Sequence, residues 1–526
     1  MKTDFTTISP GGVRAALLAR IEIALLDVRE EADFARAHPL FAAQMALGNI
    51  ELEAFDRIPR RDTQIILYDD GEEWAERAAR IFTKIGYTDV RLLEGGLSGW
   101  RAAGYELFQD VNSYSKAFGE LVEHRRQTPS IAAPDLQAMI DSGEKPVILD
   151  ARSFDEYEVM NIPNGISTPG AELVLRARTA APDPATPIFV NCAGRTRSLI
   201  GTQSLINAGI PNPVAAVRNG TIGWTLAGLT LEHGQQRKLA TPDAAGEKEA
   251  RRQAREVAYR AGVRHIDCGE LAHLERDSSR TLYRFDVRLP DEYEAGHPEG
   301  FRNAPGGQLV QEIDIFAPVR GARIVLADRR HVRADMTASW LAQMGWDVYV
   351  LKGPTSLPQQ SGAWRPDRPP LPHVHSISPD ELAALGTAAT IIDLAPSKVY
   401  RRGHLPAAIC AIRSRVGAEM ARLIKGKQVV LTSPDGALAH YAASEIGAAL
   451  ATDVRALVGG TDAWATQGRP LEQGWTHFAH ADDDVYKRPY EGTNNSATAM
   501  QAYLDWEYGL VNQLAKDSTH GFFTIG

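Results

Sequence analysis

Residues 188–198 read IFVNCAGRTRS, and how this stretch divides decides the fold. Ile188 to Asn191 form an apolar run of strand length. Cys192-Ala-Gly-Arg-Thr-Arg197 follow as a short loop containing a glycine. Apolar residues then return at helical spacing at Leu199, Leu205 and Ile206. The order is strand, loop, helix, with Cys192 at the strand end, where parallel α/β sheets bind their ligands.

The same division occurs three more times. IILYD ends at Asp69, IVLAD at Asp328 and VVLTS at Ser433. Each position follows an earlier run closed by Asp: ALLD at Asp27, VILD at Asp150, YRFD at Asp286 and TIID at Asp393. The separation is 42 residues in the first three copies and 40 in the fourth, a series chance does not produce. Three of the earlier Asp residues begin Asp-x-Arg, through Arg29, Arg152 and Arg288, whereas Asp393 is followed by Leu-Ala. Each copy opens on an Ile (Ile8, Ile131, Ile266, Ile377). A turn element follows at His38-Pro39, Ile162-Pro163, His297-Pro298 and His404-Leu-Pro406. Helical stretches end at Gly86, Gly209 and Gly345, residues suited to helix C-terminal stops. A last strand then leads to Trp100, Trp224 and Trp464, which the third copy lacks.

Short apolar runs alternating with helices indicate α/β units, each a mainly parallel sheet flanked by helices. The expected units are 1–110, 125–234, 260–368 and 374–472, with a tail at 473–526. GEKEARRQAREVAYR (246–260) reads as a connecting helix, the Pro-rich 365–372 as an extended linker, and 495–516 as a helix docked on the array.

Composition agrees with several domains: 526 residues suggest three or four, and 44% hydrophobic with 23% charged residues is ordinary for globular protein. A formal charge of -9 gives no argument for nucleic acid or an anionic membrane surface, and no run approaches the length of a membrane span. The N-terminal MKTDFTTISP lacks a signal-peptide core, so a cytoplasmic location is expected. Cys192, Cys268 and Cys410 are the only cysteines, odd in number and far apart. They suit neither a disulfide framework nor a zinc site, and no metal or cofactor is implied.

Chemistry is therefore expected from one cysteine. A Gly-containing loop can turn backbone N–H groups inward as an anion nest, and the helix after it adds its positive end. Arg195 and Arg197 add two charges. Together these features would lower a thiol from its usual pKa of about 8.5. Cys268 lies beside a first strand with no basic loop, and Cys410 in the apolar AAICAI run; both read as packing residues.

The Asp-x-Arg opening, the Gly-His-x-Pro element, the strand–Cys–loop–helix and the closing Gly-Gly-x-x-x-Trp together resemble the rhodanese family of sulfurtransferases. The four copies cover the chain to about residue 470, and the second matches best through Asp150-Ala-Arg152, Cys192 to Arg197 and Gly220-x-x-Gly223-Trp224. The resemblance implies a persulfide on Cys192, charged by a small anionic sulfur donor such as thiosulfate. The acceptor it implies is a thiol, cyanide or a thioredoxin-like protein. Ala193, Gly194, Arg195, Thr196, Arg197 and Ser198 would hold the anion, with Arg152 near the loop in a role that is structural or substrate-binding. Asp69, Asp328 and Ser433 cannot carry a persulfide, which makes the other copies scaffolds. Glu156 stands near where thiosulfate enzymes of this kind tend to carry Arg, and Asn161-Ile162-Pro163 replaces Gly-His-x-Pro. Two other readings are a persulfide carrier or scaffold with little turnover, and a Cys-dependent phosphatase or arsenate reductase. Against the phosphatase, four residues rather than five separate Cys192 from Arg197.

Overall fold

A computed structural model of the chain describes residues 5–417, 420, 424 and 428–526. The part of the expected fourth unit at 418–427, apart from residues 420 and 424, lies outside the described residues. Each of the four copies forms a five-stranded parallel sheet in which the first strand is an edge and the order continues fifth, fourth, second, third. In the second copy this order is Ser130–Ile131, Val214–Val217, Ile188–Asn191, Val147–Asp150 and Ile166–Ser167. The opening Ile of every copy ends its edge strand, as Ile131 does beside Val217.

The central strands are apolar runs because helices cover both faces. Ile188–Asn191 is buried throughout, and the helix Thr196–Asn207 turns Leu199 and Leu205 inward. That helix stops where Gly209 takes φ +70°, and its counterparts stop at Gly86 (φ +101°) and Gly345 (φ +85°). Trp224 explains the closing motif: its Nε1 donates to the carbonyl of Thr230 at 3.0 Å, as Trp100 does to Glu106 and Trp464 to Pro470.

Asp-x-Arg is a brace at the mouth of the first three sheets. Arg152 donates to both Asp150 oxygens, at 2.9 and 2.7 Å, and to the Met160 carbonyl at 2.6 Å. Arg29 repeats this with Asp27 and the Ala37 carbonyl, and Arg288 with Asp286 and the Gly296 carbonyl. The pairs are buried, where two hydrogen-bonded charges are tolerated and one alone is costly. The fourth copy lacks the Arg, and burial pushes Asp393 up to about 6.

The copies are packed together. Val319–Arg320 of the third adds an antiparallel strand to the first copy's sheet against Ile23–Asp27. The second and third meet through paired glycines: a Cβ on Gly307 would stand 3.0 Å from the Gly170 nitrogen, and Trp340 donates to Ser204 Oγ at 2.8 Å. The first and fourth are tied by Arg413, which donates to Glu51 at 2.7 and 2.9 Å. The connecting helix is Ala244–Arg260, and the tail forms the helix Ala497–Asp517, capped by Ser496. That last helix lies along Ser113–Arg126, the helix joining the first two copies. Among the described residues no helix is long and apolar enough to cross a membrane.

Candidate active site

Strand Ile188–Asn191 carries Cys192 to the carboxyl edge of the second sheet, between the Asp150–Arg152 brace and the closing turn. Asn191 Nδ2 donates to Asp150 Oδ2 at 2.9 Å, fixing the strand end to the brace. On the other side Gly220 takes φ +53°, and its missing Cβ is required, since one would stand 2.2 Å from the Cys192 carbonyl. Thr221 N and Ile222 N then donate to the carbonyls of Cys192 and Ala193 at 2.9 and 3.0 Å. The thiol, 1% exposed, donates to Ser198 Oγ at 3.3 Å, which in turn donates to the Arg195 carbonyl at 2.8 Å. Burial pushes the thiol up, while Arg197 and the hydroxyl and N–H of Ser198 pull against it. The expected lowered thiol is thus corrected: in this closed arrangement desolvation outweighs the loop.

The three sister loops show what this backbone is shaped to hold. Asp69 Oδ1 accepts from Gly71 N at 3.1 Å and its Oδ2 from Ala75 N at 2.9 Å. Asp328 accepts from Arg330 N at 3.2 Å and Arg333 N at 2.9 Å, and Ser433 Oγ accepts from Ala439 N at 3.3 Å. Counted from the strand end, Gly71 corresponds to Gly194, Arg333 to Arg197, and Ala75 and Ala439 to Ser198. Despite full burial, Asp328 is held below the usual carboxylate range by Arg333 and these N–H groups. In the first and third copies a side-chain anion fills the cradle; in the second the side chain there is Cys192.

A small cavity of about 20 Å³, room for one water-sized group, lies against the loop. Cys192, Ala193, Gly194, Arg195, Thr196 and Arg197 line it, together with residues that the sequence pattern alone did not reveal: Lys116, Gln311 of the third copy, and Tyr490, Tyr503 and Glu507 of the tail. A signal for Glu507 was present. It falls on the apolar stripe Met500, Tyr503, Leu504, Leu510 and Leu514, and a carboxylate there is fully buried.

The expected cations are mostly engaged elsewhere. Arg195 is tied to Glu120 at 2.8 and 2.9 Å, to Glu123, and to Tyr508 Oη at 2.8 Å; its charge anchors the preceding helix and the tail rather than facing the thiol. Arg197 makes a two-pronged pair with Glu156 at 2.6 and 2.8 Å, the same pairing as Arg333 with Glu292 in the third copy. Burial opposes ionisation of Glu156, but Arg197 outweighs it and holds the carboxyl at about 2. Lys116 is bonded to Asp110 at 2.8 Å and sits about 5 Å from the rings of Tyr490, Tyr503 and Trp506, which pins the tail in place. Arg152 does not line the cavity, its guanidinium being taken up by the brace.

The turn histidines stack on their own helices: His38 on Phe34, His297 on Tyr293 and His404 on Tyr400. Cys410 is buried in a strand, its thiol pushed far up by desolvation, and Cys268 begins a helix. Among the described residues no group of three or more His, Cys, Asp or Glu is placed to hold a metal ion.

A family model described as a rhodanese-like domain matches residues 13–103, 132–227, 270–355 and 378–467. The crystal structure of a thiosulfate sulfurtransferase from Pseudomonas aeruginosa aligns with a TM-score of 0.97 at 54% identity, covering 99% of this chain and 100% of that one. A Mycobacterium bovis protein named as a thiosulfate sulfurtransferase is 39% identical over 108 residues, 20% of this chain and 35% of its own. A Pseudomonas aeruginosa protein named as a 3-mercaptopyruvate sulfurtransferase is 36% identical over 124 residues, 23% of this chain and 40% of its own. The chain thus spans little more than a third of these two curated relatives.

Proposed function

The chain belongs to the rhodanese family, and from that premise we propose that it is a sulfurtransferase with one active site, at Cys192. A Cys192 persulfide takes sulfane sulfur from a small anionic donor, thiosulfate or 3-mercaptopyruvate, and passes it to a thiol or cyanide. One observation carries this reading. The loop that presents Cys192 has sister loops whose N–H groups already hold carboxylate oxygens, so a terminal persulfide sulfur, also anionic, has donors waiting at Gly194, Arg197 and Ser198. Arg197 is the cation that favours the thiolate. The other three copies act as scaffold, and the tail closes the site. A cytoplasmic setting, where a free thiol persists, belongs to the same reading.

The enclosure favours a persulfide carrier as the second reading. Cys192 is nearly inaccessible, so a protein thiol such as that of a thioredoxin-like partner reaches it only when the tail lifts. A phosphatase is disfavoured, because four residues rather than five separate Cys192 from Arg197 in the loop. The test is turnover: the protein is incubated with either donor and cyanide, and thiocyanate is measured for wild type and Cys192→Ser. Thiocyanate that Cys192→Ser fails to form supports the enzyme. Sulfur loading without turnover supports the carrier. Phosphate released from an aryl phosphate by wild type alone would overturn both.

A further inference from the structure

Loss of the Cys192 proton is the difficult step in this reaction, because the thiol is buried and pushed up while attack on a donor needs the thiolate. A base must stand in the same closed space. Of the groups around the cavity, Lys116 is paired with Asp110, Arg197 with Glu156, and burial holds Tyr490 and Tyr503 firmly as neutral phenols. Glu507 is left. Its side chain is fully buried; Oε1 accepts from Tyr503 Oη at 2.8 Å and Thr196 Oγ1 at 3.5 Å, while Oε2 has no hydrogen-bond partner. Gly194 leaves space for it, since a Cβ there would stand 3.2 Å from Oε2. Glu507 and Cys192 line the same small cavity.

We propose that Glu507 is a catalytic residue of this site: the base that takes the Cys192 proton as the thiol attacks the donor sulfur. The proposal rests on the persulfide reading above. With thiosulfate, the Sγ proton passes to Glu507 Oε2. Sγ bonds to the outer donor sulfur, and the donor S–S bond breaks with its electron pair leaving on sulfite. A thiol, a carboxylate and a thiosulfate dianion become a persulfide anion, a carboxylic acid and a sulfite dianion. The proton and three negative charges are conserved, and no oxidant or reductant is needed. When an acceptor removes the outer sulfur, the electron pair of the persulfide bond stays on Cys192 Sγ and the acid returns the proton to it. Glu507 faces Cys192 and Arg195 on the loop, Lys116 and Glu120 on Ser113–Arg126, and Tyr503 on its own helix. Burial, then Glu120, pushes it up to about 8, against Lys116, Tyr503 and Arg195, which suits a base for a thiol.

The experiment compares wild type, Glu507→Gln and Glu507→Asp in a single turnover with thiosulfate between pH 6 and 10. It follows sulfur gain on the Cys192 peptide by mass, with a melting curve for each variant. Gln keeps the oxygen that accepts from Tyr503 and Thr196 but cannot take a proton. The expected result is loading slowed about 100-fold in Glu507→Gln at pH 7, with the inflection near pH 8 abolished, and partial rescue with the inflection retained in Glu507→Asp. Loading that is equal or faster in Glu507→Gln overturns the proposal. Faster loading is what removing a mere neighbouring negative charge would cause, since Glu507 raises the thiol pKa. If Gln unfolds the tail, Asp decides alone: loss of the inflection in a folded Asp variant also overturns it. Wild type that gains no sulfur from any donor is a different outcome, and overturns the persulfide reading itself.

Discussion

Replacing Arg197 with Ala removes the cation that most opposes the effect of burial on the Cys192 thiol. Burial raises that thiol and Arg197 is the largest force opposing it, so the substitution should move its titration midpoint further up and slow persulfide formation below the midpoint about tenfold. The same change strips Glu156 of its partner, and its carboxyl should rise from about 2 toward the ordinary range. The Glu156 side chain is 36% exposed, so screening limits this loss to roughly 1 kcal/mol. Its sign is fixed by the depressed pKa. The stabilisation is present above the unfolded value near 4.3 and disappears as pH falls through 2, so the variant should melt lower at pH 7 and match wild type near pH 2. Glu156→Gln should do the opposite to the thiol, leaving Arg197 uncompensated and lowering the midpoint. The assay is the pH dependence of Cys192 alkylation, which reads the thiol itself, with melting curves alongside. An unchanged midpoint in Arg197→Ala would refute the reasoning, as would a shift of the same sign in both variants.

Three further substitutions test the frame around the site. Arg195→Ala should cost about 3–5 kcal/mol of stability by leaving Glu120 buried without its partner, with little change in donor KM in whatever fraction folds; a large KM change in a stable variant would return Arg195 to donor binding. Gly220→Ala should cost about 1–3 kcal/mol and slow loading, because its Cβ meets the Cys192 carbonyl at a left-handed position, and chemical denaturation measures the cost. Asp393→Asn removes an acid raised to about 6 from 3.8; that acid's penalty grows as pH rises from about 4 to 6, so the variant should gain up to about 3 kcal/mol at pH 7 and nothing near pH 4. A gain equal at both pH values would show that charge is not the cause.

Much of this was legible in the sequence because it repeats. The 42-residue spacing, the Asp-x-Arg brace, the glycines after helices and the Trp after the last strand each answer a local demand of one unit, and four copies made the demand visible. Cys192 was legible because it alone replaces Asp or Ser at a strand end. The lid was not, since which faces of separate units meet depends on their packing. Gln311 arrives from another copy, and Tyr490, Tyr503 and Glu507 from outside the repeat. Arg195 and Arg197 look equivalent on the page, yet one turns to Glu120 and the other to Glu156, a choice made by a helix 75 residues earlier in the first case and 41 in the second. The raised thiol followed from the same lid, because desolvation depends on what covers a group.

The central claim is that Cys192 alone carries the transferred sulfur. Its most direct test is a peptide-resolved mass measurement after brief exposure to thiosulfate or 3-mercaptopyruvate without an acceptor. The account predicts one added sulfur on the peptide containing Cys192, removed by cyanide, with none on those containing Cys268 or Cys410. Sulfur on either of those peptides, or loading that persists in Cys192→Ser, would contradict it.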